Sequence, residues 1–324
     1  ASKFSYSERS ESGIVFVLFG NSSAEHIFRN INILNWELET LGFRIFGTAA
    51  GDDFGCSVGG GVDINGDDVS DLVISAPNAD PFGRTEAGSV SIIFGHSGAW
   101  GDIDTSNISP DRGYQIFGSA SGDCGFAVAL SKDMNGDGIG EILLGGTFAD
   151  PQSRSNAGMV TVMYGQKESP TVMPTLVPST APTAMPTKVP SIMPTALPSA
   201  STRSIDMSVW SSSLSVGFQV AGAAVGDQFG WSVFSAGDVN HDGYADILMG
   251  APYADTRNGI NAGLVALVFG KLGGIANIDV ASMTEVQGIR IYGTDGSLLG
   301  FSISAANDIN GDGFDDVIVS ASEY

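Results

Sequence analysis

Residues 63–71 read DINGDDVSD, and this pattern recurs three times along the chain. The other copies are DMNGDGIGE from Asp133, DVNHDGYAD from Asp238 and DINGDGFDD from Asp308. A Gly-containing segment such as DFGCSV precedes each copy, and an apolar run such as DLVISAP follows it. Short runs rich in Val, Ile and Phe between Gly, Asn and Asp predict β-strands of about five residues. About four strands in each ~70-residue unit predict β-propeller blades, with a solenoid or a string of sandwiches as the alternative.

The predicted fold class is all-β, with about four blade-equivalents of four antiparallel strands, interrupted by a polyproline II segment. In that segment a proline falls at every fourth residue from Pro170 to Pro198, which prevents both helix and sheet. The sequence divides into blades over 1–167, a Pro/Thr/Ser-rich spacer over 168–204 and blades over 205–324. The spacer is expected in a connector between blades, either as a long loop of one propeller or as a separator of two.

The Asp-rich loops have the alternation that a metal-binding loop needs. Every second residue must turn inward to surround one ion, as in the first half of an EF-hand loop. Side-chain oxygens are expected from positions one, three, five and nine, and a backbone carbonyl from position seven. All donors are hard oxygens, which favours Ca²⁺ over zinc or copper and predicts about four calcium ions. The predicted ligands are Asp63, Asn65, Asp67, Val69 and Asp71; Asp133, Asn135, Asp137, Ile139 and Glu141; Asp238, Asn240, Asp242, Tyr244 and Asp246; and Asp308, Asn310, Asp312, Phe314 and Asp316.

The charge of the chain is strongly one-sided. Thirty-six Asp and Glu residues face 14 Lys and Arg residues, giving a formal net charge of −22. Nucleic acids and anionic membrane surfaces both need a basic patch, so this balance argues against them as partners. No apolar run approaches the ~18 residues of a membrane span, so direct membrane insertion is not expected. Twelve of the acids are predicted ligands in the loops, three in each loop, and four Ca²⁺ would bring the formal charge to −14.

The combination of FG, DxNxDGxxD and GAP motifs resembles the FG-GAP repeats of integrin alpha subunits and related extracellular propellers. The motifs are fullest from Phe54 to Pro77 and from Phe229 to Pro252, and looser where Cys124-Gly125 replaces FG and Ser320-Ala321-Ser322 replaces GAP. The resemblance implies propeller blades whose hairpin loops bind Ca²⁺. It also implies an extracellular location and roles in adhesion and ligand recognition.

Other motifs point to an exposed, glycosylated and non-catalytic protein. The sequons at Asn21 and Asn107 predict N-glycosylation in connectors between blades. Ser and Thr beside proline are typical of O-glycosylated stalks and add the candidates Thr171, Thr175, Ser179, Thr183, Thr187, Ser191, Thr195 and Ser199. No catalytic Ser-His-Asp or Cys-His arrangement is visible, so no enzymatic activity is expected. Cys56 and Cys124 are expected to be buried free thiols, with a disulfide between them as the alternative. His241 is expected to be exposed.

The two ends of the sequence read as parts of one unit. The first 20 residues, ending at Gly20, resemble the last strand that should follow Tyr324. They could close the fourth blade within one chain, complete a neighbouring copy to give a filament, or reflect a window cut from a longer repeat protein. The leading functional prediction is a calcium-binding, extracellular structural or adhesive building block that associates with further copies. The alternatives are an integrin-like module that binds a protein or glycan on the propeller face, and an accessory domain of a hydrolase.

Overall fold

The structure is a computed structural model that describes residues 12–20, 42–167, 204–210, 212 and 216–323. Within these ranges there is no α-helix, and four short 3-10 turns lie at Pro81–Gly83, Thr105–Asn107, Pro151–Ser153 and Val280–Ser282. None of the described helices is long and apolar enough to cross a membrane. The prediction of an all-β chain is confirmed.

Three sets of four antiparallel strands form the centre of the fold, and each is called a blade here; in two of them a short parallel strand adds a fifth to the sheet. Blade one contains β3 (Val58–Val62), β4 (Asp71–Ala76), β5 (Ser89–Ile93) and β7 (Gly113–Phe117); blade two contains β8 (Ala127–Ser131), β9 (Glu141–Gly146), β10 (Met159–Tyr164) and β12 (Gly217–Ala221); and blade three contains β13 (Ser232–Gly237), β14 (Asp246–Ala251), β15 (Leu264–Val268) and β17 (Gly288–Tyr292). Two half-blades flank them, formed by β1 (Ile14–Leu18) with β2 (Gly42–Phe46), and by β18 (Leu299–Asn307) with β19 (Asp316–Ala321).

The hydrophobic core lies between neighbouring sheets. The first strands β3, β8, β13 and β18 contact one another in succession and form the inner edge of the array. In the second strands, Val73, Leu143 and Leu248 are fully buried. Burying an aliphatic side chain of this kind contributes about 1.5–3 kcal/mol. The largest cluster joins Leu143 and Val160 of blade two to Met249 and Ala266 of blade three, so each blade depends on its neighbour.

Three short connector strands tie each blade to the preceding sheet. They are β6 (Ile103–Asp104), β11 (Ser204–Asp206) and β16 (Ile278–Asp279), which pair in parallel with β2, β7 and β12. An ion pair reinforces each of these contacts: Arg44 lies 2.5 Å from Asp102, Arg84 lies 2.8 Å from Asp206, and Arg154 lies 2.8 Å from Asp279. The expectation that these segments join two blades is wrong, because each lies between the third and fourth strands of one blade.

The proline-rich spacer also lies within one blade. Strands β10 and β12 pair antiparallel over Met159–Met163 and Gly217–Ala221, on either side of residues 168–203. The spacer therefore interrupts blade two, and the strands that flank it do not belong to two separate propellers. Its last predicted residue, Ser204, already begins β11. The predicted polyproline II conformation and the O-glycosylation sites fall outside the described residues. The three-part division of the sequence stays a prediction.

The end strands pair in two separate half-blades. Strand β1 pairs antiparallel with β2, as β5 pairs with β7 in blade one. Strand β1 thus takes the place of the third strand of a blade and β2 that of the fourth. Among the described strands β19 pairs only with β18. Closure of the fourth blade by β1 and β19 is thus not formed within the described part of the chain.

Candidate metal centre

The four Asp-rich loops occupy equivalent places in the fold. Each joins the first strand of a blade to its second strand, so all four lie at the same end of their hairpins. The loops cover residues 63–71, 133–141, 238–246 and 308–316. The structure thus brings the predicted ligands of each loop into one tight turn and leaves the loops of different blades as separate sites.

Within a loop, the side chains at positions one, three and five fold inward onto the backbone. In the first loop Asp63 Oδ1 accepts hydrogen bonds from the N–H of Asn65 (3.1 Å) and Gly66 (2.7 Å). Asn65 Nδ2 donates to Asp67 Oδ2 at 3.3 Å, and Asp67 Oδ1 accepts from Val69 N at 2.8 Å. The second and third loops repeat the Asn-to-Asp contact at 3.0 Å. The alternation expected from the sequence therefore has a structural counterpart.

Positions four and six need a left-handed backbone. Position six is Gly in three loops, and Asp68 adopts a φ of 66° in the first. Short polar residues such as Asp tolerate this region better than most. In the third loop His241 stands at position four with a φ of 58°, where the other loops have Gly. Its ring is exposed, as predicted, and lies 5.5 Å from the ring of Phe314.

The carboxylate at position nine anchors the loop to the sheet. Asp71 is fully buried, and its two oxygens accept hydrogen bonds from Ile64 N and Gly95 N, both at 2.8 Å. Asp246 makes the same two contacts in blade three, to Val239 N and Gly270 N at 2.9 Å. Burial raises the pKa of Asp71 to about 6 and that of Asp246 to about 7, against the opposing effect of these hydrogen bonds.

Glu141 is the exception among the residues at position nine. Its Oε2 accepts from Met134 N at 3.0 Å, but Gly165 N donates to the carbonyl of Gly140 instead of to the carboxylate. The extra methylene therefore leaves Oε1 buried without a hydrogen-bond partner. Burial, together with the nearby charges of Asp133 and Asp137, raises the pKa of Glu141 to about 10.

In the described part of the chain, one group of three carboxylates converges tightly enough to hold a metal ion. Oxygens of Asp133, Asp137 and Glu141 all lie within 4.8 Å of one another. Two of these residues are at least partly exposed, and Glu141 is buried beneath them. A cation there would neutralise mutually repelling charges and give the unpartnered oxygen of Glu141 a ligand.

Backbone hydrogen bonds link each loop to the next. The residue at position eight donates its N–H to the carbonyl of position one in the preceding loop. The distances are 2.9 Å from Gly140 to Asp63 and 2.8 Å from Ala245 to Asp133. The fourth loop makes the same contact, from Asp315 to Asp238, at 3.2 Å. The sequence could not reveal these contacts because they use no side chain. That the carbonyls at position seven are metal ligands stays a prediction.

The remaining predicted sites are on the surface or outside the described ranges. Asn107 is exposed beside β6, and lies within blade one instead of between blades. Asn21 and the eight Ser and Thr candidates lie outside the described residues. Cys124 is buried and free as expected, but Cys56 is exposed. The expectation of two buried thiols is wrong because Cys56 stands at the open end of blade one, beside a cavity that Cys124 also lines.

A row of aromatic side chains lies at the end of the blades opposite the loops. The ring of Trp231 lies 4.9 Å from that of Phe126 and 5.3 Å from that of Phe301. Phe148 and Tyr253 extend the row, at 6.2 Å from Phe126 and 5.5 Å from Trp231. Phe148 and Phe301 are 42% and 39% exposed. Sequence reasoning missed this row because its members are contributed by three different blades.

Comparison with known proteins identifies the repeats. The family model described as FG-GAP repeat matches residues 54–93, 229–268 and 299–324. These ranges contain the loops of blade one, blade three and the last half-blade. Blade two is outside the match, in line with its altered FG and GAP motifs, although it has the same strand order.

Curated relatives are integrin alpha subunits. Integrin alpha pat-2 of Caenorhabditis elegans is 34% identical over 103 residues, which is 31% of this chain and 8% of that protein. Integrin alpha-3 of Mus musculus is 36% identical over 100 residues, 31% of this chain and 9% of that protein. Integrin alpha-7 of Mus musculus is 33% identical over 102 residues, 32% of this chain and 8% of that protein. The matched region thus spans less than a tenth of each relative. The chain thus contains three FG-GAP repeats, at residues 54–93, 229–268 and 299–324.

Proposed function

We propose that this chain is a calcium-stabilised, extracellular adhesion module without catalytic activity. The observation that carries the calcium part is the second loop, where three carboxylates converge and a buried oxygen of Glu141 has no partner. Carboxylate, amide and carbonyl oxygens in a turn that can adjust its shape suit Ca²⁺, which accepts six to eight oxygen ligands. Mg²⁺ demands a stricter octahedron and fits this donor set less well.

In this proposal the side chains at positions one, three, five and nine and the carbonyl at position seven hold one ion in each loop. The ions supply positive charge where three acidic residues meet. Because position eight is hydrogen bonded to the preceding loop, ordering one loop also orders the contact between two blades. Calcium would then stiffen the whole array instead of isolated hairpins.

Calcium titration after dialysis against EDTA tests this assignment. Isothermal titration is expected to detect about four ions per chain. Replacing Asp133 and Asp137 together by Asn should remove one ion. The matched control is Asp68→Asn, which changes an acid of the first loop that is not a predicted ligand and should leave the count unchanged. Absence of binding in the unmodified chain would refute the proposal.

The adhesive role is proposed to use the aromatic row of Phe126, Phe148, Trp231, Tyr253 and Phe301. Flat, partly exposed rings offer apolar area at low entropic cost, and such side chains are enriched at interaction sites. The similarity to integrin alpha subunits favours an extracellular protein ligand, and a glycan is the other candidate. Adhesion of cells to immobilised protein should fall when Phe148 and Phe301 are replaced by Ser. The matched control is Phe82→Ser, an exposed phenylalanine outside the row. Equal adhesion of the Phe148/Phe301 variant and the Phe82 control would show that the aromatic row does not mediate adhesion.

Association between copies is a second proposed function, based on the two half-blades. Ile318 of β19 is 54% exposed, whereas its counterparts Val73, Leu143 and Leu248 are fully buried. Strands β18 and β19 correspond to the first and second strands of a blade, and β1 and β2 to the third and fourth. An exposed strand edge favours strand addition, so β1 of one copy is proposed to pair with β19 of another.

Sedimentation measurements over a range of concentrations test this association. The chain should form larger species as its concentration rises, and Ile318→Asp should abolish them. The control is Ile260→Asp, which charges another exposed isoleucine away from the edge. A chain that stays monomeric at all concentrations would rule the association out.

A further inference from the structure

Four Asn-Gly pairs occur in the chain, and three of them lie in the Asp-rich loops. They are Asn65-Gly66, Asn135-Gly136, Asn258-Gly259 and Asn310-Gly311. An asparagine followed by glycine readily loses its side-chain amide, because the backbone nitrogen of glycine can reach the amide carbon without hindrance from a Cβ. The reaction requires the two residues to move together and the amide nitrogen to leave. The contacts of each pair in the folded chain therefore rank the four as targets.

The amide nitrogen is held by a hydrogen bond in three of the four pairs. In the first two loops, Nδ2 of Asn65 or Asn135 donates to the carboxylate two residues later, at 3.3 and 3.0 Å. Asn65 is also only 5% exposed. Nδ2 of Asn258 donates to the carbonyl of Gly293 at 2.9 Å. Each of these bonds must break before ammonia can leave.

The glycines of the first two loops are also covered by the connector of the following blade. A Cβ on Gly66 would lie 3.0 Å from Lys167 Cγ, and one on Gly136 would lie 2.7 Å from Leu272 Cδ1. The backbone at these glycines therefore has little room to approach the side chain before it. Asn65 and Asn135 are restrained on both sides of the bond that would have to form.

The fourth loop is open at both residues of its pair. Asn310 is exposed, and within the described part of the chain its Nδ2 makes no hydrogen bond. Its Oδ1 alone is held, by Asp312 N at 2.9 Å. A Cβ on Gly311 would meet no atom within 4 Å. Gly311 N donates to Asp308 Oδ1 at 2.7 Å, but the first two loops make the same contact, so it does not distinguish the fourth.

We propose that Asn310 is a site of spontaneous deamidation in the folded protein. The nitrogen of Gly311 loses its proton to solvent base and attacks Cγ of Asn310. The new N–Cγ bond closes a succinimide ring as the Cγ–Nδ2 bond breaks, and ammonia leaves with the proton. Water then opens the ring. Cleavage of the N–Cγ bond gives Asp, and cleavage of the bond between this nitrogen and the main-chain carbonyl carbon of Asn310 gives isoaspartate; nothing is oxidised or reduced.

Either product changes the fourth loop and leaves the other three as they are. Asp at position three adds a fourth carboxylate to those of Asp308, Asp312 and Asp316. Isoaspartate also lengthens the main chain by one methylene, so the residues after position three lose their alternation. The last half-blade thus acquires a loop of different charge and shape as the protein ages.

Peptide mapping by mass spectrometry tests the proposal. The chain is incubated at mildly alkaline pH in EDTA, once folded, as checked by circular dichroism, and once unfolded in guanidinium chloride. The unfolded sample should lose all four amides at similar rates. In the folded sample Asn310 should react about tenfold faster than Asn65, Asn135 and Asn258, because those amides must first break a hydrogen bond. Equal rates in the folded chain, or an intact Asn310, would overturn the proposal. EDTA keeps the result independent of the metal sites.

A reciprocal pair of variants separates the contacts from the sequence. Gly311→His copies the third loop, where His241 has a similar left-handed backbone, and should slow the loss of the Asn310 amide about tenfold. His241→Gly creates an Asn-Gly pair in the third loop, but Asn240 Nδ2 is held by Asp242 Oδ2 at 3.0 Å. Asn240 should therefore stay intact while Asn310 reacts. Loss of both amides at one rate would show that the dipeptide alone sets the rate, and would refute the role given to the contacts.

Discussion

Replacing Glu141 by Gln should change the stability of the protein in opposite directions with and without calcium. In the absence of metal, Glu141 must stay neutral in the folded chain, because burial raises its pKa to about 10 from an ordinary value of 4.5. In the unfolded chain this group is ionised at pH 7. Taking up a proton on folding therefore lowers the free energy of unfolding by on the order of 3 kcal/mol at most. Gln is neutral in both states and can still accept from Met134 N. In EDTA, Glu141→Gln should therefore raise the free energy of unfolding by about 1–3 kcal/mol, which corresponds to about 3–8 °C in Tm.

The pH dependence of that gain follows from the same shift. Below pH 4.5 the carboxyl is protonated in both states, so the stability due to its raised pKa is fully present there. That stability is lost as the pH rises toward 10. The advantage of Glu141→Gln should therefore grow from pH 4.5 to pH 8 in EDTA. With saturating calcium the order reverses, because Gln cannot supply the anionic oxygen.

Asp71→Asn is the matched control for this experiment. Both oxygens of Asp71 already accept backbone hydrogen bonds, from Ile64 and Gly95. Asn offers one acceptor oxygen, so a buried N–H loses its partner at a cost of about 1–3 kcal/mol. This variant should thus be less stable in EDTA, whereas Glu141→Gln is more stable. Thermal unfolding by circular dichroism measures both. A lower Tm of Glu141→Gln in EDTA, or an unchanged stabilisation by calcium, would refute the reasoning.

Three further results are expected. Gly158→Ala should cost more than about 2 kcal/mol in urea unfolding, because φ is 77° and a Cβ would lie 2.0 Å from the carbonyl oxygen of Phe229; a neutral effect would show that the backbone relaxes there. Arg154→Lys should cost about 1 kcal/mol by losing the two-point contact with Asp279 at 2.8 and 3.1 Å, and an unchanged urea midpoint would contradict this. Burial raises the pKa of Asp227 to about 6, so the stability tied to its protonated form is lost as the pH rises through 6; Asp227→Asn should flatten that slope between pH 4 and 7, and an identical slope would exclude this carboxyl as its source.

The strands and loops were predictable from the sequence because their signals are local. Apolar runs such as DLVISAP are short and bounded by Gly, Asn and Asp, which indicates strands. DINGDDVSD has oxygen-bearing side chains at every second position, which indicates a metal-binding loop. Which sheet a connector joins is a long-range property, and Ile103, Ser204 and Ile278 begin strands that pair with the preceding sheet. A sequence read in order assigns such segments to the space between blades. The sequence also could not predict that the extra methylene of Glu141 leaves Oε1 without a hydrogen-bond partner. That outcome depends on whether Gly165 N donates to the carboxylate or to the carbonyl of Gly140.

The backward-reaching connector strands set an order of events during protein synthesis. Strand β7 receives its parallel partner β11 only after residues 118–206 have been added, and the spacer accounts for much of that interval. At about 5–20 residues per second, roughly five to twenty seconds separate the two strands. During this time the outer edge of blade one is exposed on the ribosome to any extended segment nearby. The lengthened connector thus extends the interval in which this edge has been made and its partner strand has not.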